Sequence, residues 1–351
     1  MRPFFIYLSV KKTLIIILNI FILAVVVLTP IFMWLSISAY RKDNPRTTAQ
    51  TVLELWHVES FEGSSGLFSY LRNEAIRFNK SNKEIFIIVK KLTQQEFLET
   101  SKESKPDIIS FSYHIGNDVL AMLTPLNQNF GVRPELQRAG EASGNIFAVP
   151  FAMSGYALIS NKEVPNFETH NMLAGGNETR GRQVFASVVS PNDLPLISLR
   201  GRNDEVINNL SLKQHQNALS MFKTGQANNL IGKAKDVVNL TNTGQGTFSF
   251  KPTEGFSDMV QFMGVANNKA LTQSQAFINH LTNTETQRRL VEINLFNVLG
   301  QSFHSASHMR KFEDALNKPI ETLNVFIDDD QIETFRRNLE LSVMEKSFYR
   351  Q

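Results

Sequence analysis

The chain has 351 residues, with 36 Lys and Arg against 33 Asp and Glu, a formal net charge of +3, 42% hydrophobic residues and no cysteine. That length and composition give room for two lobes of ordinary domain size and exclude a disordered chain. The absence of cysteine excludes disulfides, thiolate metal sites, a cysteine nucleophile and a lipid-modified cysteine behind a leader.

The charge is unevenly placed. Residues 1–46 hold six basic residues (Arg2, Lys11, Lys12, Arg41, Lys42, Arg46) and one acid, Asp43. Taking these from 36 and 33 leaves 30 basic and 32 acidic residues, so the remainder is near neutral and has no basic footprint for nucleic acid. The six basic residues flank an uncharged apolar run from Thr13 to Tyr40. About 20 apolar residues suffice to cross a bilayer, so the run is long enough for a tilted transmembrane helix. It also exceeds the apolar stretch of an ordinary cleaved leader. Pro30 is placed to kink it, and Trp34 and Tyr40 to sit at an interface. The expectation is an uncleaved anchor with its linker (1–46) that holds the protein at the extracytoplasmic face of the membrane. The alternative is a long signal segment cut near Ser38, with secretion.

The soluble part opens with a strand at Val52–Val58. Ser64 or Ser65 is suited to cap a helix with Leu67, Leu71, Ala75 and Phe78 on one face. Ile85–Lys90 reads as a second strand, Thr93 and Glu96 as the capping box of a short helix, and Asp107–Phe111 as a third strand. This β-α-β-α-β order predicts an α/β fold with a mostly parallel sheet. Leu126–Gly144 reads as mostly irregular, followed by strands at Ile146–Pro150 and Tyr156–Ser160. Pro165–Leu194 reads as loops with a strand near Val184–Val189. Leu212–Lys223 has helical spacing and ends at Gly225, a good C′ residue. Then come a strand at Asn229–Gly232, a short helix at Lys235–Leu240, and strands at Thr247–Lys251 and Asp258–Val265. Thr272–Leu281 and Thr284–Ile293 read as a helical pair, with Thr284 capping the second. Glu321–Ile327 reads as extended, and Asp328–Asp330 as the cap of a final helix to about Lys346.

The end of the first strand is unusually polar: Trp56, His57, Glu59, Ser60 and Glu62 precede a helix. In a parallel α/β sheet, ligands bind at the carboxyl ends of strands, where helix N-termini also point. An aromatic face stacks on a sugar ring, while Glu, His and Ser take hydroxyls. Gly63 and Gly66 let a backbone approach closely. The plain structural alternative is a core Trp56 with solvated acids. Ser112, Tyr113 and His114 follow the third strand and should open on the same side. Lys233 follows a later strand and has the reach for an anionic or hydroxyl group. Phe256 and Phe296 read as core.

Catalytic and metal readings fit less well. The GSSG stretch lacks the lysine of a phosphate loop. His57 and His114 end two strands of one sheet, so a metal shared with Glu59 is geometrically open, but hydrogen bonding to a ligand suits them as well and no metal is assigned. Glu59 and Glu62 lie three apart in one loop, whereas glycosidase acids flank a bond from different elements. No G-x-S-x-G, H-E-x-x-H or dinucleotide fingerprint occurs, so no catalytic residue and no cofactor are expected.

Five stretches carry a resemblance: LELWHVESFEGSSG, KPDIISFS, IFAVPFAMSGYALISNKE, ALSMFKTGQANNLIGKAKDVVNL and QSQAFINHLTNTETQRRLVEINLFNVLG. In this order they resemble the family 1 extracellular solute-binding proteins of bacterial ABC importers, the group that includes maltose-binding protein. The match covers most of residues 50–327, with Asn228 and Asn229 replacing the usual small and apolar residues. It implies a two-lobe, periplasmic-binding-protein-like (type II) fold with crossover hinge strands. Lobe 1 would be 47–152 plus about 255–300, and lobe 2 would be 153–254 plus about 301–351. Between Asn161 and Phe222 lie about 60 residues, fewer than the family usually has, so lobe 2 is shortened. Phe151, Met153 and Ser154, in the crossover, would line the cleft floor. The resemblance implies a binding component, not an enzyme. It would hold a small solute, a saccharide or polyol, between lobes that close by a hinge motion, and would deliver it to permease subunits. The alternative is a membrane-tethered sensor or degenerate binding module without a transport role.

Overall fold

The chain divides into two units, Met1–Gln50 and Thr51–Gln351. The computed structural model describes residues 51–58, 65–161, 184–187, 211–225, 229–244, 248–328, 330–334 and 337, all in the second unit. The apolar segment 13–40, Glu59, Ser60, Glu62, Ser64, most of Pro165–Leu194, Asn228, Asp329 and the chain beyond 337 lie outside the described residues. No described helix is long and apolar enough to cross a membrane.

The strands and helices run β1 (Thr51–Val58), α1 (Ser65–Ser81), β2 (Ile85–Leu92), α2 (Gln94–Thr100), β3 (Ile108–Phe111), α3 (Gly116–Leu120) and α4 (Pro134–Arg138). Next come β4 (Glu141–Ala142), β5 (Asn145–Ile146), β6 (Ala148–Met153), β7 (Tyr156–Ser160), β8 (Val184–Ser187), β9 (Ser211–Gln214) and α5 (His215–Lys223). The chain continues with β10 (Asn229–Lys233), α6 (Ala234–Asn242), β11 (Ser249–Pro252), β12 (Val260–Val265), α7 (Leu271–Thr282), α8 (Thr284–Arg288) and α9 (Ser307–Leu316).

Five strands form the larger sheet in the order β2-β1-β3-β12-β6. β1 runs parallel to β2 and β3, while β12 runs antiparallel to both β3 and β6. The inner strands are apolar on both sides, because helices cover both faces. Every residue of β3, β6 and β12 is buried. β2 is an edge strand and alternates instead, with Lys90 and Lys91 exposed, a charge pattern that discourages pairing with another chain.

α1 covers one face through Leu67, Leu71, Ala75 and Phe78, all buried, and the Phe78 ring meets Phe277 of α7 edge-on at 5.3 Å. Beneath these rings the buried Glu74 takes bonds from Arg77, from His280 at 3.0 Å and from Arg289 at 3.0 Å. α2 covers the other face, held by the expected capping box of Thr93 and Glu96.

The smaller sheet, β10-β7-β11, is antiparallel throughout, and α6 and α9 pack on it. β4 and β5 form a two-residue hairpin whose Ser143 and Gly144 have φ of 50° and 78°, the positive pair that a type I′ turn needs.

Local departures from the sequence reading have local causes. The start of Leu212–Lys223 is strand β9, paired parallel with β8, and helix begins only at His215. The cap of α8 is Asn283, whose side chain accepts the Thr286 N–H at 2.8 Å, rather than Thr284. The helix then tightens into a 3-10 turn, Arg289–Ile293, and stops at Asn294 in a left-handed conformation. The irregular stretch 126–144 contains α4, started by Pro134. Asp328 does cap the final helix, its Oδ1 accepting the Asp330 N–H at 2.8 Å.

Three stretches pass between the sheets and are tied to one another. The first is Ser154–Gly155. The return is Thr253–Met259, where the Ser154 N–H donates to the Met259 carbonyl (2.9 Å) and the Ser257 hydroxyl to the Ser154 carbonyl (2.7 Å). The third follows α9, where the Glu321 N–H meets the Gly255 carbonyl at 2.8 Å and Arg133 holds the Leu316 and Lys318 carbonyls. Residues 301–327 therefore contact both sheets. Phe312 of α9 stacks on Phe250 of β11 at 5.7 Å, whereas Phe326 packs between Phe111 and Phe147 of the larger sheet's side. A Cβ at Gly116 would lie 1.5 Å from the Val325 carbonyl oxygen, so only glycine lets this segment close down.

Candidate functional site

β1, β3 and β6 point the same way, and their carboxyl ends lie where the chain crosses to the smaller sheet. The reversed strand β12 begins there, between β3 and β6. Asp258 stands just ahead of it. The Tyr113 hydroxyl, from the 3-10 turn after β3, donates to Asp258 Oδ2 at 3.1 Å. The Tyr156 hydroxyl, from the first residue of β7, donates to Oδ1 at 2.8 Å. All three side chains are buried.

Two further hydroxyls sit at this sheet end. Ser112 follows β3 and Ser154 follows β6, with residue exposures of 3% and 0%, and among the described residues neither hydroxyl has a hydrogen-bond partner. A buried polar group left unsatisfied costs about 1–3 kcal/mol. Any group that arrived with a complementary donor or acceptor would recover that cost.

The structure brings together Ser112, Tyr113, Met153, Ser154 and Lys233 of the residues expected from sequence. Met153 pairs its backbone with Phe296 in both directions, at 3.0 and 2.9 Å. Lys233 is buried and stands opposite Tyr156 in the β10–β7 register, with its N–H bonded to the Asp236 carboxylate at 2.8 Å. Phe151 is floor packing in β6, its carbonyl accepting from Gln287 Nε2 at 2.7 Å. His114 belongs to the turn Tyr113–Ile115, but its side chain lies outside the described residues, as do Glu59 and Ser60.

Trp56 and His57 are placed differently from the sequence expectation. Alternation along β1 turns Trp56 toward α2, where its ring meets Phe97 edge-on at 6.3 Å and its Nε1 donates to Glu54 at 2.9 Å. Lys90 Nζ stands 5.4 Å from the ring centroid, and the residue is 1% exposed, so Trp56 offers no face to a ligand. His57 turns toward α1, against Phe68. Its Nδ1 lies 3.0 Å from the Ser110 hydroxyl, which also accepts from Gln261 Nε2 at 3.0 Å. This is a polar row across β1, β3 and β12. Burial, with the nearby Lys91 charge, lowers the His57 pKa to about 3. His57 and Ser110 pair a base with a hydroxyl, but both are sealed inside the sheet, so no substrate carbonyl reaches them. Among the described residues no group of three or more His, Asp or Glu is placed to hold a metal.

The residues that sequence reasoning missed are Asp258 and Tyr156. The available signal was an acid and a glutamine inside the apolar run FSDMVQFMGV, since polar groups there must be satisfied by specific partners.

No protein-family model matches the chain, and no curated protein matches it in sequence. Solved structures do match in shape. A cyclo/maltodextrin-binding protein complexed with maltotetraose superposes with a TM-score of 0.65 at 14% identity, covering 87% of this chain and 94% of that one. The cyclic α-maltosyl-1,6-maltose binding protein from Arthrobacter globiformis gives 0.64 at 12% identity, covering 85% and 94%. An extracellular solute-binding protein from Staphylococcus aureus in complex with maltose gives 0.59 at 13% identity, covering 85% and 96%. The chain has the two-lobe α/β fold of these solute-binding proteins.

Proposed function

We propose that this protein is the substrate-binding component of an ABC-type importer, taking a saccharide between its two lobes and passing it to permease subunits. The observation that carries this reading is the pair of buried hydroxyls of Ser112 and Ser154, without a hydrogen-bond partner among the described residues, at the sheet end where α/β folds take ligands. Parting of the two lobes would uncover them there, as it would not uncover His57 and Ser110 inside the sheet. A saccharide hydroxyl both donates and accepts, so it satisfies a serine in either sense. The fold supports the same reading, because the proteins it matches are described with maltose, maltotetraose or related sugars. Binding is the whole of the role: ATP hydrolysis belongs to other subunits, and no residue here performs chemistry. The uncharged run Thr13–Tyr40 serves as the membrane anchor, keeping the receptor at the extracytoplasmic face, close to its transporter.

The test is thermal unfolding of the full-length chain in detergent against maltose, maltotriose, longer maltodextrins, polyols, polyamines and divalent metals. A ligand at 100 times its Kd stabilises by about 2.7 kcal/mol. A saccharide-specific rise in Tm is expected. A flat response to every saccharide would remove the transport reading. Carbonate washing of membranes checks the anchor: the protein should stay in the pellet.

A further inference from the structure

Three strand ends converge on one carboxylate. β12 lies between β3 and β6, and Asp258 precedes it at the crossing end of the sheet. Tyr113 reaches Asp258 from the end of β3, and Tyr156 reaches it from beyond the Ser154–Gly155 crossing. Each tyrosine takes a different carboxylate oxygen. Tyr113 is the residue after Ser112, and Tyr156 is two residues after Ser154. One side chain therefore anchors both stretches that carry the unpartnered hydroxyls.

The Tyr156–Asp258 bond spans the two sheets away from the crossing itself, unlike the backbone bonds of the crossing. The Ser154–Met259 and Thr253–Tyr156 backbone bonds lie along the crossing itself, at 2.9 and 2.8 Å. Rotation of one sheet about that line moves them little. The Tyr156 hydroxyl stands a full side chain away from its backbone and beyond the crossing, so the same rotation must displace it. Tyr113 and Asp258 instead flank neighbouring strands of one sheet, and that bond holds the carboxylate in place. Two bonds to the two oxygens of one carboxylate fix an angle as well as a distance, and hydrogen bonds to a charged group are the stronger kind.

We propose that Asp258 is a positioning residue: through Tyr113 and Tyr156 it sets the geometry of the cleft floor and the resting angle between the two sheets. The effect on ligand affinity rests on the proposed function above, but the resting angle does not.

The chain has no cysteine, so two can be introduced cleanly. Ser69→Cys on α1 and Asn239→Cys on α6 are exposed and lie on either side of the crossing. Spin labels there, in the full-length protein in detergent, report the inter-sheet distance by electron–electron double resonance, without ligand and with maltotriose. The labelled parent should give one narrow distribution. Asp258→Asn and Tyr156→Phe should broaden or shift it without ligand. Tyr113→Phe should leave the distance but weaken maltotriose binding about tenfold, the loss of roughly one charged-group hydrogen bond. Phe97→Leu, a core change on α2, should lower Tm and leave both readings unmoved, which separates positioning from general stability.

Distributions of Asp258→Asn and Tyr156→Phe that superimpose on the parent would overturn the proposal. If Asp258→Asn fails to fold, Tyr156→Phe decides alone, since it removes one bond and keeps the carboxylate. If the labelled parent binds no saccharide, the transport reading falls, and the ligand-free distances still decide the role of Asp258.

Discussion

Nδ1 of His57 lies 3.0 Å from the hydroxyl of Ser110 on the adjacent strand, and burial keeps that ring neutral with a pKa lowered from 6.5 to about 3. Between those two values the unfolded chain binds a proton that the folded protein refuses. Stability from this residue is therefore complete above about pH 6.5 and is lost as pH falls toward 3. The loss between pH 7 and pH 5 is about 2 kcal/mol. Denaturant unfolding at pH 7, 6 and 5 measures it, and His57→Gln should flatten the dependence in that window.

Glu74 adds a second acid-sensitive step at lower pH. Burial works to raise its pKa, but bonds from His280 and Arg77 and the charge of Arg289 outweigh burial and hold the carboxyl below its ordinary value of 4.5. Its contribution is present above about 4.5 and is lost as pH falls further. Glu74→Gln keeps the shape and removes the charge to which Arg77, Arg289 and His280 bond. A loss of about 2–3 kcal/mol is expected, below the full penalty of a broken buried pair because Arg77 is partly solvated. Urea unfolding at pH 7 reads it directly.

Ser112→Ala and Ser154→Ala should separate stability from binding. Each removes a buried hydroxyl with no partner among the described residues, so the ligand-free protein should gain up to about 1 kcal/mol. Saccharide affinity should fall by about tenfold, the value of one hydrogen bond lost to a ligand. Parallel melting and titration calorimetry test the pair of effects. A variant that gains stability and keeps full affinity would remove that serine from the site.

Trp56→Phe should cost about 1–3 kcal/mol of stability through lost volume and the lost bond to Glu54, without changing saccharide affinity. Any change in tryptophan fluorescence on ligand addition would then not come from Trp56 in a rigid site. Collisional quenching by acrylamide should be weak for this residue with and without ligand.

Gly116→Ala places a methyl group 1.5 Å from the Val325 carbonyl oxygen, which is backbone and cannot swing aside. Segment 323–327 must lift off the larger sheet, so a loss of at least about 3 kcal/mol is expected. Proteolysis should then cut near Phe326 first, while Gly131→Ala, whose added methyl would meet nothing within 4 Å, costs less despite its φ of 69°.

Much of the larger sheet was legible in sequence. The spacing of Leu67, Leu71, Ala75 and Phe78 gave the buried face of α1, and Thr93 with Glu96 gave the start of α2, because both are local signals. The position of β12 was not legible. Its residues declare a buried strand, but nothing local states that it runs backwards between β3 and β6. Trp56 shows the same limit in the site. Alternation says that Trp56 and His57 face opposite ways, but which face each meets depends on where α2 puts Phe97, a residue 41 positions later in the chain. Asp258 reads in sequence as the start of a strand because the two tyrosines that bond it lie 145 and 102 residues away.

The late place of β12 in the chain bears on the order in which the fold can be completed. Its larger sheet lacks the strand between β3 and β6 until Val260–Val265 emerges, and by then β7, β10 and β11 of the other sheet have already been synthesised. The first lobe therefore cannot finish before the second has at least been threaded. Such long-range pairing slows folding. Under the export proposed above, slowness would be an advantage, because a chain that cannot complete its sheet stays pliable enough to pass a narrow channel.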